Sequence, residues 1–176
     1  EQDEEQGGYQ LVTHELPDTL PTNDTGKSLT ESQVYAMTVN SVVGITTEAT
    51  TNIFGQEAVS ASAGTGFILT EDGYIITNHH VINGADTITV TLYSGEKYTA
   101  ELVGSDASYD IAVLKIDAEG LQAVSVGDAD NLQVGEAVIA IGNPLGELTF
   151  TMTDGVISAL DREINTDGNP QNMLQT

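Results

Sequence analysis

The sequence predicts an all-β protein with two antiparallel barrels, a first barrel of six complete strands and a partial second barrel. Short stretches of alternating apolar and polar residues, rich in Val, Ile and Thr, recur between turn residues. This strand pattern pauses near residues 117–120 and then restarts. Hydrophobic residues make up 39% of the chain but aromatic residues only 5%, and Trp is absent. Both cores must therefore be built from Val, Ile, Leu and Ala.

Residues 1–30 differ in composition from everything that follows. The first eight residues are acidic and end in two glycines, and Pro17, Pro21 and Gly26 interrupt the stretch behind them. We interpret this segment as an acidic flexible arm or linker. It could serve as a tether to a membrane anchor, as an oligomerisation arm or as a solubilising tail. His14 stands alone among polar neighbours there, and no role is assigned to it.

Residues 31–120 are predicted to form a short helix and the first barrel. Ser28 with Glu31 and Thr30 with Gln33 both have the spacing of a capping box, and either pair predicts a helix over residues 31–39. Residues 48–63 are polar and are expected to form an exposed loop between the first two strands. The six predicted strands cover residues 41–47, 65–70, 74–78, 87–93, 97–105 and 111–115.

Residues 121–176 are assigned to the partial second barrel. Strands are predicted over residues 121–126, 137–141 and 147–160, followed by a polar, turn-rich stretch at 161–170 and the beginning of a strand at 173–176. A barrel removes free edges only when it closes, so inner apolar side chains of this half are expected to be poorly covered. They are Val138, Ile139, Ile141, Val156 and Ile157.

The charge balance excludes several classes of partner. Four Lys and Arg residues stand against 27 Asp and Glu residues, a formal net charge of −23. Such a surface repels nucleic acid phosphates and anionic lipid headgroups, so neither is an expected partner. The chain contains no Cys, which excludes disulfides and thiolate chemistry. It also has no apolar run of membrane-spanning length, so direct membrane insertion by this chain is not expected.

Two histidines end a predicted strand. Apolar runs flank Glu71-Asp72-Gly73, a tight-turn signal, and the second run leads into His79 and His80. A histidine held at the end of a rigid strand suits a general base, although a structural or merely exposed pair remains the alternative. Successive strand residues face opposite sides, so only one of the two should address a given site. Neither a zinc site nor another metal site is predicted, because no further ligands have a matching spacing.

Asp110 directly precedes the predicted strand at 111–115. A carboxylate in that position could accept the Nδ1 proton of an imidazole and so select its tautomer. The alternative is an ordinary surface charge.

Four motifs together resemble the protease domain of the HtrA (Deg) family of trypsin-like serine endopeptidases. They are T-N-H-H-V at residues 77–81, D-I-A-V-L-K at 110–115, G-D-A-D-N-L at 127–132 and A-I-G-N-P-L-G at 140–146. The resemblance extends over residues 34–176 and implies a trypsin-like double β-barrel. It implies His80 as the general base and Asp110 as the acid that orients it. Thr77 is expected to support this corner through a backbone hydrogen bond.

The family pattern also includes G-N-S-G-G, which supplies the nucleophilic Ser and the donors of the oxyanion hole, and this chain does not contain it. We therefore expect the Ser to lie beyond this chain and the chain alone to be inactive. The resemblance implies misfolded or unstructured polypeptide substrates, no cofactor, an extracytoplasmic location with a tether preceding residue 1, and a homotrimer. The alternative is a catalytically inactive protease-like binding or structural module. A downstream G-N-S-G-G would distinguish the two.

Overall fold

The computed structural model describes residues 28–53, 56–143, 150–166 and 169–176. These residues form one sheet of seven strand segments and two separate two-stranded sheets. Most of the predicted acidic arm, including His14, lies outside the described residues, as do the last three residues of the A-I-G-N-P-L-G motif.

The predicted helix is present as α1 (Glu31–Thr38). The Thr30 hydroxyl accepts a hydrogen bond from the backbone N–H of Gln33, and the Gln33 side chain accepts one from the backbone N–H of Thr30. This reciprocal capping box satisfies donors that the first helical turn leaves unpaired. A 3₁₀ turn over Val39–Ser41 then leads into the first strand.

The seven strand segments form a barrel. They are β1 (Val42–Ile53), β2 (Gln56–Ile68), β3 (Tyr74–Thr77), β4 (Thr87–Thr91), β5 (Lys97–Thr99), β6 (Glu101–Asp106) and β7 (Ile111–Lys115). Their spatial order is β5-β4-β1-β2-β3-β7-β6. Because only Ala100 separates β5 from β6, the chain passes directly from one edge of the sheet to the other, and the sheet curls round. The strand predicted at 97–105 is thus one bent strand in two segments, and the six-stranded barrel is confirmed.

The barrel core follows the two-residue alternation of its strands. Val43 and Ile45 in β1, and Ala112 and Leu114 in β7, have no exposed surface. Their neighbours Ile111, Val113 and Lys115 in β7 are exposed or half-buried, as the pleat requires. The core comprises the buried apolar residues Val43, Ile45, Ile68, Ile75, Val81, Ile82, Ile88, Val90, Leu92, Ala100, Ala112, Leu114 and Ile116.

The loop expected at residues 48–63 is a continuation of two strands. β1 and β2 stay paired from Val42 with Phe67 out to Ile53 with Gln56, whereas β4 pairs with β1 only as far as Glu48. A two-stranded ribbon therefore extends past the rest of the sheet. The prediction failed because residues 48–63 are mostly polar and show no apolar alternation that would indicate a strand.

The strand predicted at residues 121–126 is absent. This segment instead runs alongside the first barrel, where the Leu121 N–H donates to the Glu71 carbonyl (3.1 Å) and the Val124 N–H to the Ile68 carbonyl (2.9 Å). Its apolar alternation therefore reflects contact with the first barrel, and Leu121 packs against that core.

The remaining strands form two hairpins. β8 (Ala137–Gly142) pairs with β9 (Thr151–Val156), and β10 (Ala159–Thr166) pairs with β11 (Asn169–Gln175). The strand predicted at 147–160 is thus divided between β9 and the beginning of β10, with residues 147–149 outside the described part. The stretch at 161–170, expected to be turn-rich, contributes residues to β10 as far as Thr166 and to β11 from Asn169. Its polar composition concealed these strands.

Burial in the second half is sparse, as expected for most of the apolar residues named above. Among residues 121–143, 150–163 and 172–176, Ile157 is the one buried apolar side chain, with 2% of its surface exposed. The expectation of poor cover was wrong for Ile157 and right for Val156, which is 48% exposed. No helix in the described residues is long and apolar enough to cross a membrane.

Candidate active site

The rim of the first barrel brings His80 and Asp110 together. β3 ends at Thr77, and Asn78 stands at the N-cap position of the short helix α2 (His79–Ile82) without a side-chain capping bond. This helix carries His80. Asp110 directly precedes β7, and Thr77 pairs with Ala112 across the β3–β7 ladder. Because these strands are antiparallel neighbours, the end of one meets the start of the other. Two residues thirty positions apart in sequence thereby become adjacent in space.

Asp110 holds His80 at two points. The Nδ1 atom of His80 lies 2.7 Å from Oδ2 of Asp110, and the backbone N–H of His80 donates to Oδ1 at 2.8 Å. A carboxylate only accepts hydrogen bonds, so Nδ1 carries the proton in this pair and Nε2 keeps its lone pair. The His80 side chain is 71% exposed and that of Asp110 29%, which leaves the free ring nitrogen open to a reactant.

The conformation of Asp110 is unusual for a residue other than glycine. Its φ of 53° lies in the left-handed region, which Asp adopts more readily than most residues. The preceding turn is fixed by Asp106, whose Oδ1 accepts hydrogen bonds from the N–H groups of Ser108 (2.8 Å) and Tyr109 (3.3 Å). The turn thus presents the Asp110 carboxylate to α2.

Asn78 is a site residue that the sequence analysis missed. Its Nδ2 donates to the backbone carbonyl of Asp110 at 3.0 Å and to its Oδ2 at 3.2 Å. The Asn78 side chain therefore binds both the main chain and the carboxylate of Asp110 and holds them in place. The one signal for Asn78 in the sequence is its position in T-N-H-H-V. Asn is a common residue just before a helix, so this position did not by itself indicate a contact with Asp110.

The pKa of Asp110 lies below its ordinary value. Burial raises this pKa, but three effects outweigh it: the hydrogen bond from the His80 backbone, the hydrogen bond from the His80 ring, and the charges of His80 and then His79. Asp110 is therefore ionised at neutral pH. An ionised carboxylate can stabilise positive charge on the imidazole of His80.

Close packing fixes α2 against the barrel. Val81 is 4% exposed, and a Cβ at Gly64 would lie 2.5 Å from one of its methyl carbons. β2 therefore passes α2 at a distance that only glycine permits. Thr77 makes the backbone hydrogen bond expected of it, from its hydroxyl to the Thr65 carbonyl at 2.8 Å.

His79 does not share the Asp110 bond. The argument that the two histidines face opposite sides holds only if the strand continues past Asn78, and it does not continue, because His79 is the first residue of α2. Its Nδ1 atom is buried and has no hydrogen-bond partner among the described residues. Within those residues, no group of three or more His, Asp or Glu side chains could hold a metal ion.

An exposed imidazole nitrogen, backed by an ionised carboxylate on a barrel rim, can take a proton from a hydroxyl group and return it to a leaving group. A curled antiparallel barrel sheet that carries such a pair, followed by a second set of antiparallel hairpins, defines the class of trypsin-like peptidases.

Comparison with known proteins agrees with that class. The model of the trypsin-like peptidase domain family matches residues 64–176. A probable periplasmic serine endoprotease of the DegP-like type from Chlamydia trachomatis is 56% identical over 102 residues, which are 58% of this chain and 20% of that protein. The serine protease Do-like HtrB of Bacillus subtilis is 51% identical over 112 residues, 60% of this chain and 24% of that protein.

Solved structures give the same result. A variant of the HtrA-type protease AlgW with a decapeptide superposes with a TM-score of 0.75 at 32% identity, covering 82% of this chain and 49% of that one. AlgW with a tripeptide gives a TM-score of 0.69 at 36% identity, with 80% and 45% covered. The chain belongs to the trypsin-like peptidase family and, within it, to the HtrA proteases. It spans 20% to 24% of the length of the two curated relatives described above.

Proposed function

We propose that this chain contributes the general base and its orienting acid to an HtrA-type serine endopeptidase. His80 is the base and Asp110 the acid. The observation that carries the proposal is the contact of 2.7 Å between Nδ1 of His80 and Oδ2 of Asp110, with the rest of the ring exposed. The nucleophilic Ser belongs to a segment outside this sequence, which contains no G-N-S-G-G.

The proton moves in two steps. Nε2 of His80 takes the proton of the Ser hydroxyl as the oxygen attacks the peptide carbonyl, and it later gives that proton to the departing amine. Between the steps the imidazole is positively charged. Asp110 stabilises that charge through Nδ1–H and prevents the ring from turning, while the backbone N–H of His80 and Nδ2 of Asn78 hold the carboxylate in place.

The substrates follow from the class. We propose misfolded or unstructured polypeptides outside the cytoplasm, because relatives are named periplasmic endoproteases and the neighbouring structures were solved with short peptides. A tether preceding residue 1 and assembly into a homotrimer belong to the same proposal.

The test uses the protein expressed from the complete reading frame that contains this sequence. Unfolded casein serves as the substrate, and kcat is measured for the wild type, His80→Ala and His79→Ala. Removing the base should lower kcat by several orders of magnitude. His79→Ala is the matched control, since its ring does not contact Asp110 through a hydrogen bond, and its kcat should change little.

Equal losses in the two variants would contradict the assignment of His80. Casein cleavage by the isolated 176-residue chain, lost in His80→Ala, would show that the nucleophile lies within this sequence. A complete reading frame without G-N-S-G-G, together with no hydrolysis, would support the inactive binding or structural module instead.

A further inference from the structure

Thr65 lies where the first barrel meets the second half of the chain. It belongs to β2, and its hydroxyl oxygen accepts a hydrogen bond from the backbone N–H of Asn143 at 2.7 Å. Asn143 directly follows β8, so this bond joins a barrel strand to the end of a strand in the other half. The bond is partly shielded from water, which strengthens it and restricts replacement by solvent.

The backbone of Thr65 is tied to the segment that carries the base. Its carbonyl accepts the hydrogen bond from the Thr77 hydroxyl at 2.8 Å, and its neighbour Gly66 pairs with Thr77 across the β2–β3 ladder. Thr77 stands three residues before His80. One residue thus connects the strand that leads to His80 with the end of β8.

The contact leaves little room for adjustment. A Cβ added at Gly142 would lie 3.2 Å from the Thr65 hydroxyl oxygen, and Asn143 is only 5% exposed. Few apolar contacts could take over its function, because Ile157 is the one buried apolar residue within 121–143, 150–163 and 172–176. A directed hydrogen bond therefore has more influence on the position of β8 than it would in a well-filled core.

We propose that Thr65 is a positioning residue for the peptidase reaction, because its hydroxyl sets the end of β8 relative to the strand that leads to His80. This inference rests on the proposed function. In a two-barrel peptidase, groups from the second half must meet His80 within tenths of an ångström, and a displacement of about 1 Å can cost about 10²-fold in rate.

The experiment compares three variants of the enzyme expressed from the complete reading frame. Thr65→Val keeps the shape and strand preference but removes the hydroxyl, Thr65→Ser keeps the hydroxyl, and Thr87→Val makes the same chemical change at an exposed position of β4. We expect Thr65→Val to lower kcat by about 10- to 100-fold with KM nearly unchanged. Thr65→Ser should retain most of the activity, and Thr87→Val should match the wild type.

A merely structural role would lower thermal stability without changing kcat per folded molecule. The active fraction of each variant is therefore determined by titration with a covalent serine-directed inhibitor. Wild-type kcat per active site in Thr65→Val, or equal losses in Thr65→Ser and Thr65→Val, would overturn the proposal. If Thr65→Val fails to fold, Gly142→Ala displaces the same contact from the other side. Gly142→Ala should then lower kcat, and an unchanged kcat would overturn the proposal.

The outcome for the wild type separates this inference from the proposed function. Wild-type hydrolysis that His80→Ala leaves intact would overturn the function itself. Hydrolysis that depends on His80 but is indifferent to Thr65 would overturn only the inference.

Discussion

The first barrel and the hairpins behind it are built from similar strands yet bury very different amounts of surface. β7 (I-A-V-L-K) and β8 (A-V-I-A-I-G) have comparable apolar content. Ala112 and Leu114 in β7 are fully buried, whereas the apolar residues of β8 are half-buried or exposed. The difference is closure: β7 lies inside a sheet that curls round, while β8 has one paired neighbour among the described residues. Apolar sequence is therefore necessary for a core, but sheet topology decides whether one forms.

The first barrel and the second half also contribute differently to the site. The contacts that position His80 and Asp110 against each other come from the closed barrel and its rim. The second half is connected to the barrel by the Thr65–Asn143 bond, and to α1 by the bond from the Tyr35 hydroxyl to the Phe150 carbonyl at 2.8 Å. The base is therefore expected to be rigid, and its partners from the second half to depend on those contacts.

The largest expected effect tests whether Asp110, on the rim of the first barrel, sets the tautomer of His80. Asp110→Asn in the enzyme from the complete reading frame should keep the fold and lower kcat by about 10⁴-fold, because an amide no longer enforces the tautomer with Nε2 free. Steady-state casein hydrolysis measures the loss, and circular dichroism checks the fold. Asp117→Asn, an exposed residue one position after the core, is the matched control. A loss below about tenfold would mean that Asp110 does not orient the base.

A second prediction compares the stability cost of the same substitution, Ile to Ala, in each half of the chain. Ile75→Ala removes a side chain with no exposed surface, and it should lower the free energy of unfolding by about 2–5 kcal/mol. Ile139→Ala makes the same change on half-buried β8 and should cost less than about 1 kcal/mol. Urea unfolding of the 176-residue chain provides both values. Equal costs would show that the second half has a core of its own.

The smallest expected effect is the change in fold stability at acidic pH. The pKa of Asp110 is lower in the folded state than in the unfolded chain, where an Asp titrates near about 3.9, so its carboxylate stabilises the fold fully above that pH. This contribution is lost as the pH falls through the lower, folded-state pKa. NMR titration of the Asp110 carboxyl carbon should show a midpoint below the ordinary value. In His80→Ala, which removes the ring and keeps the backbone donor, the midpoint should rise. A midpoint unaffected by the ring would contradict the geometry.

Much of the barrel and the contact between its two site residues could be predicted from local patterns. Two-residue alternation identified the buried strands, and the spacing of Thr30 and Gln33 identified the start of α1. His80 was selected by its position in the T-N-H-H-V motif of the family it resembles, and Asp110 by its position directly before the strand at 111–115 and in the D-I-A-V-L-K motif. The ribbon formed by β1 and β2 beyond Glu48 and the strand residues at 161–166 and 169–170 were missed because their composition is polar, and polar strands resemble loops when only alternation is examined.

The sequence by itself determined which residues could enter the core, where α1 begins and which histidine and aspartate have motif positions suited to proton transfer. Only the tertiary structure decided that β5 and β6 close the sheet on both sides of Ala100, that Asp110 takes a left-handed backbone, and that Asn78 and Thr65 make the contacts that hold the site. The physical reason is the distance along the sequence over which each effect acts. Periodicity and capping act over a few residues, whereas the Asn78–Asp110 and Thr65–Asn143 bonds join residues 32 and 78 positions apart.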